Sequence, residues 1–301
     1  MTRVLRKFSN GVAVLGVAAL LAACQSTGPS PSTSGSGQPK PQATSQTAPV
    51  TPAAYAAPTA VPRGRSVLVL NGYTGRELLS ENADAPRFPA SLTKMMTLYL
   101  LFEEVSKGRY TLSTPLNVSA YAATQPPSKI GLKPGSTITV EQAARALAIK
   151  SANDVAIAVA ENISGSEAAF ARKMTQKAKS LGLTRTRFVN ASGLPNPRQV
   201  TTARDMAKLG MALKRRFPQY ASYYKARSFT YNGRRFKATN NLIGKVAGVD
   251  GLKTGYIRLS GYNLVATSRR NGRKLVVVVM GGASESARDT EVTQLIERFS
   301  Y

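Results

Sequence analysis

The spacing of apolar residues divides this chain into stretches of different kinds. Residues 11–23, GVAVLGVAALLAA, form an unbroken apolar run behind the basic MTRVLRKFSN. From Gln25 to Pro62 large apolar side chains almost vanish, and Ser, Thr, Pro, Gly, Gln and Ala take over. Patterned sequence begins at Arg65. SVLVLNGYTGRELLS reads as two short strands around a glycine-bearing turn. In SLTKMMTLYLLFEEV the apolar residues fall at helical spacing, with Ser91 where an N-cap is expected. TVEQAARALAIKSANDVAIAVAENISG predicts two helices meeting near Lys150–Asn153, and SEAAFARKMTQKAKSLG an amphipathic helix closed by Gly182. The turn-rich FVNASGLPNPRQ leads into a further helix, TTARDMAKLGMALKRRF. The last third switches to strands: GLKTGYIRLSGYN, then the hairpin LVATSRRNGRKLVVVVMGG about Asn271-Gly272, before DTEVTQLIERFSY closes as a helix. Strands at both ends with helices between predict an α+β fold, an antiparallel sheet built from both ends of the domain and covered by helices.

The run at 11–23 is too short to span a bilayer comfortably, and its basic flank gives it the form of an export signal. It ends in Leu21-Ala22-Ala23-Cys24, which resembles a bacterial lipobox, where the cysteine becomes the lipidated first residue of the mature chain. Plain secretion, with cleavage after a small residue, is the other reading. The expected organisation is a signal peptide over 1–23, a lipidated Cys24 with a tether over 24–62, and one folded domain over 63–301. The tether composition cannot bury enough surface to fold. A flexible chain of that length has a typical reach of roughly 31–37 Å.

Composition then removes whole classes of chemistry. The 301 residues include no histidine and one cysteine, Cys24. A Ser-His-Asp or Cys-His unit, an imidazole metal site, an intramolecular disulfide and a thiolate zinc site are all excluded. No metal and no cofactor is expected. Any nucleophilic chemistry must use lysine, tyrosine, a carboxylate or an activated serine, and carboxylates are scarce: 15 Asp and Glu against 41 Lys and Arg. The formal charge of +26, three units of it in the signal, favours polyanionic partners. YYKARSFTYNGRRFK interleaves aromatic and basic residues as nucleic-acid binders do. Export argues for an anionic wall or lipid surface instead, so no nucleic-acid partner is expected.

Three short motifs follow one another: Ser91-Leu92-Thr93-Lys94, Ser151-Ala152-Asn153 and Lys253-Thr254-Gly255. Ser-x-x-Lys recurs at Ser222–Lys225, so the spacing alone decides nothing. Order and setting do more. Ser91 opens a helix, Ser151 and Asn153 lie at a helix junction, and Lys253 sits on a strand. A serine hydroxyl needs a base, and without histidine a lysine must serve. That requires a depressed lysine pKa, which burial and a second cation both produce. Residues i and i+3 of a helix share a side, so Lys94 can reach Ser91 Oγ. Lys253 would supply the second charge, Ser151 could relay the proton, and Asn153 could hold a substrate amide.

This motif set resembles that of penicillin-binding proteins and class A β-lactamases, with Ser-Ala-Asn where that set has Ser-Asp-Asn. From about Arg65 to Tyr301 the chain resembles the serine D-alanyl-D-alanine carboxypeptidases, the low-molecular-mass penicillin-binding proteins, most extensively from LKPGSTITVEQ through FVNASGL and again in VDGLKTGY and LVVVVMGG. The resemblance implies a β-lactamase/transpeptidase-like fold and acyl transfer from a peptidoglycan pentapeptide ending in D-Ala-D-Ala. It makes Ser91 the nucleophile, Lys94 the general base and Ser151 the proton relay. Asn153, Lys253, Thr254, Gly255 and Tyr256 would bind substrate, with the N–H groups of Ser91 and Tyr256 as the oxyanion hole. Thr254 and Arg288, in GGASESARDTE, would take the terminal carboxylate. β-Lactam antibiotics would be covalent inhibitors, turned over slowly, because no Glu-x-x-x-Asn segment stands where class A β-lactamases carry their deacylating glutamate. Ile257 stands where many relatives have threonine, which bears on substrate preference. Well-studied relatives continue into a β-rich domain and a C-terminal amphipathic helix; here lipid on Cys24 would provide the membrane attachment instead. A D,D-endopeptidase cutting cross-links and a non-catalytic wall-binding lipoprotein are the alternatives. For Tyr262, Asn190 and Asp205, core packing, loop structure or helix capping is the expected role.

Overall fold

The computed structural model describes residues 64–301. The export signal, Cys24 and the tether lie outside the described residues. Strands β1 (Ser66–Asn71) and β2 (Glu77–Glu81) open the fold. A 3-10 turn, Ala90–Thr93, leads into α1 (Lys94–Ser106). There follow β3 (Pro115–Asn117), α2 (Ala120–Ala123), β4 (Thr137–Thr139) and α3 (Val140–Arg145). A π-helical turn, Ala146–Lys150, separates α3 from α4 (Asn153–Ser164), and α5 (Glu167–Ser180) comes next. Then come α6 (Ala203–Arg216), α7 (Ala221–Lys225), β5 (Ser228–Tyr231) and β6 (Arg234–Lys237). The chain closes with β7 (Val249–Ile257), β8 (Gly261–Arg270), β9 (Arg273–Gly282) and α8 (Glu285–Phe299).

The main sheet is antiparallel throughout, in the order β2-β1-β9-β8-β7. β1 pairs with β9 from Ser66↔Met280 to Asn71↔Leu275, so the two ends of the domain do build one sheet. Alternate residues of a strand face opposite sides, and here both sides are covered. Val67, Val69, Leu264, Ala266, Val277 and Val279 pack with Val292, Leu295 and Ile296 of α8. Leu68, Leu70, Leu252, Val265, Val276 and Val278 face the helical layer of α1, α3, α4 and α6. This two-sided burial is why KLVVVVM carries no polar alternation. α1 is buried on nearly every side from Lys94 to Glu104, as a helix at the centre of a domain must be.

Two Asn-Gly pairs make the two tight hairpins. Asn271 and Gly272 at φ +50° and +71° join β8 to β9, as expected. Asn232 and Gly233, at φ +45° and +73°, join β5 to β6 inside the segment that read as an aromatic-basic pattern. Its Phe229, Tyr231 and Phe236 are buried, with Phe229 stacked on Phe236 at 5.4 Å, so these rings belong to the core.

Candidate active site

Ser91 does not cap α1 with its side chain. It sits inside the 3-10 turn, α1 begins at Lys94, and neither Pro89 nor Thr93 makes a side-chain cap. The turn is held from outside. Asn263 of β8 donates to the carbonyls of Phe88 and Pro89 at 3.1 and 3.3 Å and accepts from Gly281 N–H at 3.0 Å. β7 passes so close that a Cβ on Gly255 would stand 3.0 Å from Ser91 N. On the other side Gly193 has φ +86°, and a Cβ there would lie 1.9 Å from the Ala90 carbonyl oxygen. Gly193 admits no side chain, and at Gly255 one would press on the backbone of the Ser91 turn. Among the described residues five non-glycines have positive φ. Three are asparagines; the others, Ala90 at +49° and Ser151 at +64°, both border this site. Strain of this kind persists only where the surroundings fix it.

Lys94 is fully buried, and its Nζ reaches three oxygens: Ser91 Oγ at 3.0 Å, Asn153 Oδ1 at 2.7 Å and the Ser192 carbonyl at 2.5 Å. Burial pushes its ammonium well below the ordinary lysine range; Lys253 adds to that shift and Asp154 opposes it. A neutral amine has two N–H donors and one lone pair. Asn153 Oδ1 and the Ser192 carbonyl can only accept, so they take both donors. The lone pair is left for Ser91, whose hydroxyl can donate. The arrangement makes Lys94 a base aimed at one proton.

The remaining predicted residues meet around a cleft of about 630 Å³ that Ser91, Ser151, Asn153, Thr254, Tyr256 and Arg288 help to line. The π-helical turn carries one residue more than an α turn. It ends in the left-handed Ser151, whose side chain faces the cleft with no hydrogen bond among the described residues. Asn153 is more committed than expected. Besides accepting from Lys94, its Nδ2 donates to Pro126 O at 2.9 Å and its backbone N–H to Ser128 O at 2.7 Å. Its geometry positions Lys94. Next to it, the buried Asp154 gathers the N–H groups of Ile130, Gly131 and Leu132 and so ties that segment to the start of α4.

Lys253 is buried on β7, donates to its neighbour's carbonyl, Thr254 O, at 2.8 Å, and is lowered to about 7 by burial and by Arg288. Thr254 Oγ1 donates to Thr239 Oγ1 at 2.8 Å. Arg288 arrives from the first turn of α8, buried and paired with Asp289 at 2.6 Å. Tyr256 and Tyr262 stack at 4.3 Å on the rim, so Tyr262 lines the cleft and not the core. Ile257 lines it too. Asp205 holds Thr186 Oγ1 and Arg185 N–H, which fastens a loop, while Thr202 caps α6.

Sequence reasoning missed Asn263, Thr239 and the Asn190–Gly193 turn. Asn190 Oδ1 accepts from Gly193 N–H at 2.7 Å and its Nδ2 donates to Leu194 O at 3.0 Å, which presents the Ser192 carbonyl to Lys94. An asparagine amid the apolar residues of β8 was the available signal for Asn263, since a buried amide must find partners.

Comparison with known proteins agrees with this site. The model of peptidase family S11, D-alanyl-D-alanine carboxypeptidase, matches residues 53–284. The chain is 35% identical over 237 residues to D-alanyl-D-alanine carboxypeptidase DacF of Bacillus subtilis, covering 77% of this chain and 61% of that protein. To DacA of Escherichia coli it is 37% identical over 238 residues, covering 77% and 59%. It therefore spans about three fifths of the length of these curated relatives. Its fold is similar to that of penicillin-binding protein 5 from Haemophilus influenzae, with a TM-score of 0.75, 31% identity, and coverage of 83% of this chain and 72% of that one. Buried Lys94 facing Ser91, the Ser151 and Lys253 motifs beside them and the match over most of the chain together make it a member of the D-alanyl-D-alanine carboxypeptidase family, peptidase family S11.

Proposed function

We propose that this protein is a penicillin-sensitive D-alanyl-D-alanine carboxypeptidase of the cell envelope that trims peptidoglycan stem peptides. The observation that carries the reading is the Lys94–Ser91 hydrogen bond with both other Lys94 contacts fixed as acceptors. Ser91 Oγ attacks the carbonyl of the penultimate D-Ala while its proton passes to neutral Lys94. The N–H groups of Ser91 and Tyr256 receive the oxyanion. Ser151, with its hydroxyl free in the cleft, hands its proton to the leaving amine of the terminal D-Ala and takes back the one that Lys94 received from Ser91, which leaves Lys94 neutral again for the attack of water. Water then attacks the ester, returning Ser91 and releasing the shortened peptide.

The terminal carboxylate is taken by Arg288 and by Thr254, whose hydroxyl turns from Thr239 to donate. Lys253 adds positive charge behind them while it is protonated, and Gly255 lets the strand carrying Tyr256 lie against the Ser91 turn. Ile257 presents an apolar surface to the same end of the cleft and favours the methyl side of D-Ala over polar contacts. β-Lactams, cyclic amides of the same shape of reaction, acylate Ser91; the penicillin-binding names among the similar structures support this. Lipidation at Cys24, with residues 24–62 as tether and the catalytic domain over 63–301, puts the cleft within reach of the wall.

The test is digestion of two substrates by the full chain: a pentapeptide ending in D-Ala-D-Ala and a cross-linked peptide dimer. Free D-Ala from the first with the second intact supports the proposal. Cleavage of the dimer instead identifies an endopeptidase, and inertness toward both, with penicillin failing to label the folded protein, identifies a wall-binding protein.

A further inference from the structure

A second cleft, of about 410 Å³, lies between α5 and the paired segments around Arg187 and Val200. Arg172 comes from the face of α5 that also carries Ala168 and Gln176, one turn away on either side. Arg187 and Arg198 come from the two paired segments, joined by Arg187 N–H to Val200 O at 2.9 Å and the reverse bond at 3.2 Å. No carboxylate lines the cleft. Among the described residues none of these three guanidinium groups makes an ion pair or hydrogen bond. Between them, Ala171, Phe188 and Val189 give the cleft an apolar floor.

Solvated arginines are ordinary on a chain of this charge. Three around one small concavity, without a single acid, are a different matter, because they repel one another until an anion enters. A carboxylate has two oxygens and one fork-to-fork partner, which would leave at least one guanidinium unmatched. A phosphate monoester offers three terminal oxygens and up to two charges, enough for three planar forks. The apolar floor leaves room for the group that carries the phosphate.

We propose that the Arg172–Arg187–Arg198 cleft binds a phosphate group with at least three terminal oxygens, either free phosphate or the monoester headgroup of a phosphorylated lipid. The site is separate from the Ser91 cleft but not isolated from it. Gln199, next to Arg198, accepts from Val189 N–H at 3.0 Å and donates to Asn190 Oδ1 at 3.2 Å. Asn190 shapes the turn whose Ser192 carbonyl holds Lys94. An occupant would therefore stiffen the loop that supports the base.

Calorimetric titration of the full chain with inorganic phosphate, and separately with dihexanoyl phosphatidic acid below its micelle concentration, tests this. The expected result is saturable one-to-one binding that weakens as salt is added. Each of Arg172→Gln, Arg187→Gln and Arg198→Gln should weaken it about two- to fivefold, the range for exposed charge pairs. The triple variant Arg172→Gln with Arg187→Gln and Arg198→Gln should abolish saturable binding, and the single variants carry the test if it does not fold. A control that removes the same charge elsewhere, Arg76→Gln with Lys133→Gln and Arg273→Gln, should leave binding within about twofold. Tighter binding of the lipid assigns the headgroup, and equal binding assigns free phosphate. No saturable binding of either, or the same loss in the charge-matched control, overturns the proposal.

Discussion

The molecule contains the same tetrapeptide spacing twice, and the two copies behave differently. Ser222 and Lys225 lie on the five-residue α7, both exposed, with no hydrogen bond between them among the described residues. Ser91 and Lys94 lie under β7, β8 and the Asn190–Gly193 turn, and every face of the lysine is occupied. Spacing brings a serine and a lysine to one side of a helix in either place. What makes a base is the removal of water around the amine and the fixing of its other hydrogen bonds. The hydrogen-bond partners lie 59 and 98 positions away in sequence, and the covering strands β7 and β8 lie further still.

The largest effects should separate the two copies outright. Ser91→Ala should lower D-Ala release by about 10⁴-fold or more, since the nucleophile is lost. Ser222→Ala should leave the rate unchanged. Lys94→Arg puts a permanently protonated guanidinium where the base stood, and should cost about 10²–10⁴-fold, whereas Lys225→Arg should cost nothing. Steady-state rates on one pentapeptide check all four, and a comparable loss at both copies would break the contrast.

Next come changes that disturb the frame and leave the chemistry in place. Gly193→Ala forces a Cβ into the Ala90 carbonyl at φ +86° and should destabilise the fold by at least about 3 kcal/mol, read as a lower urea midpoint. Asn263→Ala strands the Phe88 and Pro89 carbonyls in a buried place. It should cost about 1–3 kcal/mol of stability and lower kcat/KM with KM nearly unchanged.

The smallest effect is a shift in a pH profile, and its sign follows from the charge state required. Only neutral Lys94 accepts the Ser91 proton. Its pKa is depressed from 10.5, so the penicillin acylation rate should climb with pH and level off well below that value. Lys253→Met removes the neighbouring cation and should move the levelling point to higher pH. A rate that still rises in proportion to hydroxide at pH 10 would contradict the depressed pKa.

Local signals carried much of this into view. Short apolar runs bounded by turn residues, with Asn271-Gly272, placed the sheet, and helical spacing placed α1 and α4. Lys253 was legible because a lysine base needs a second cation, and Gly255 because it completes the Lys-Thr-Gly motif. The supporting residues were not. Asn263 and Ser192 act through partners more than 90 positions distant, and Ser192 acts through a backbone carbonyl, which no side-chain motif reports. Ser91 looked like a helix cap because a serine before an apolar helix usually is one. The 3-10 turn held by Asn263 and Gly193 overrode that local preference.

The proposed mechanism requires Ser91 to be the activated serine, and labelling tests that most directly. After incubation of the full chain with a penicillin, proteolysis and mass spectrometry should find the adduct on the peptide containing Ser91. The peptide containing Ser222 should be unmodified, and Lys94→Arg should slow the labelling without moving it. An adduct at Ser222 or another residue, or a folded protein that takes no label, would contradict it.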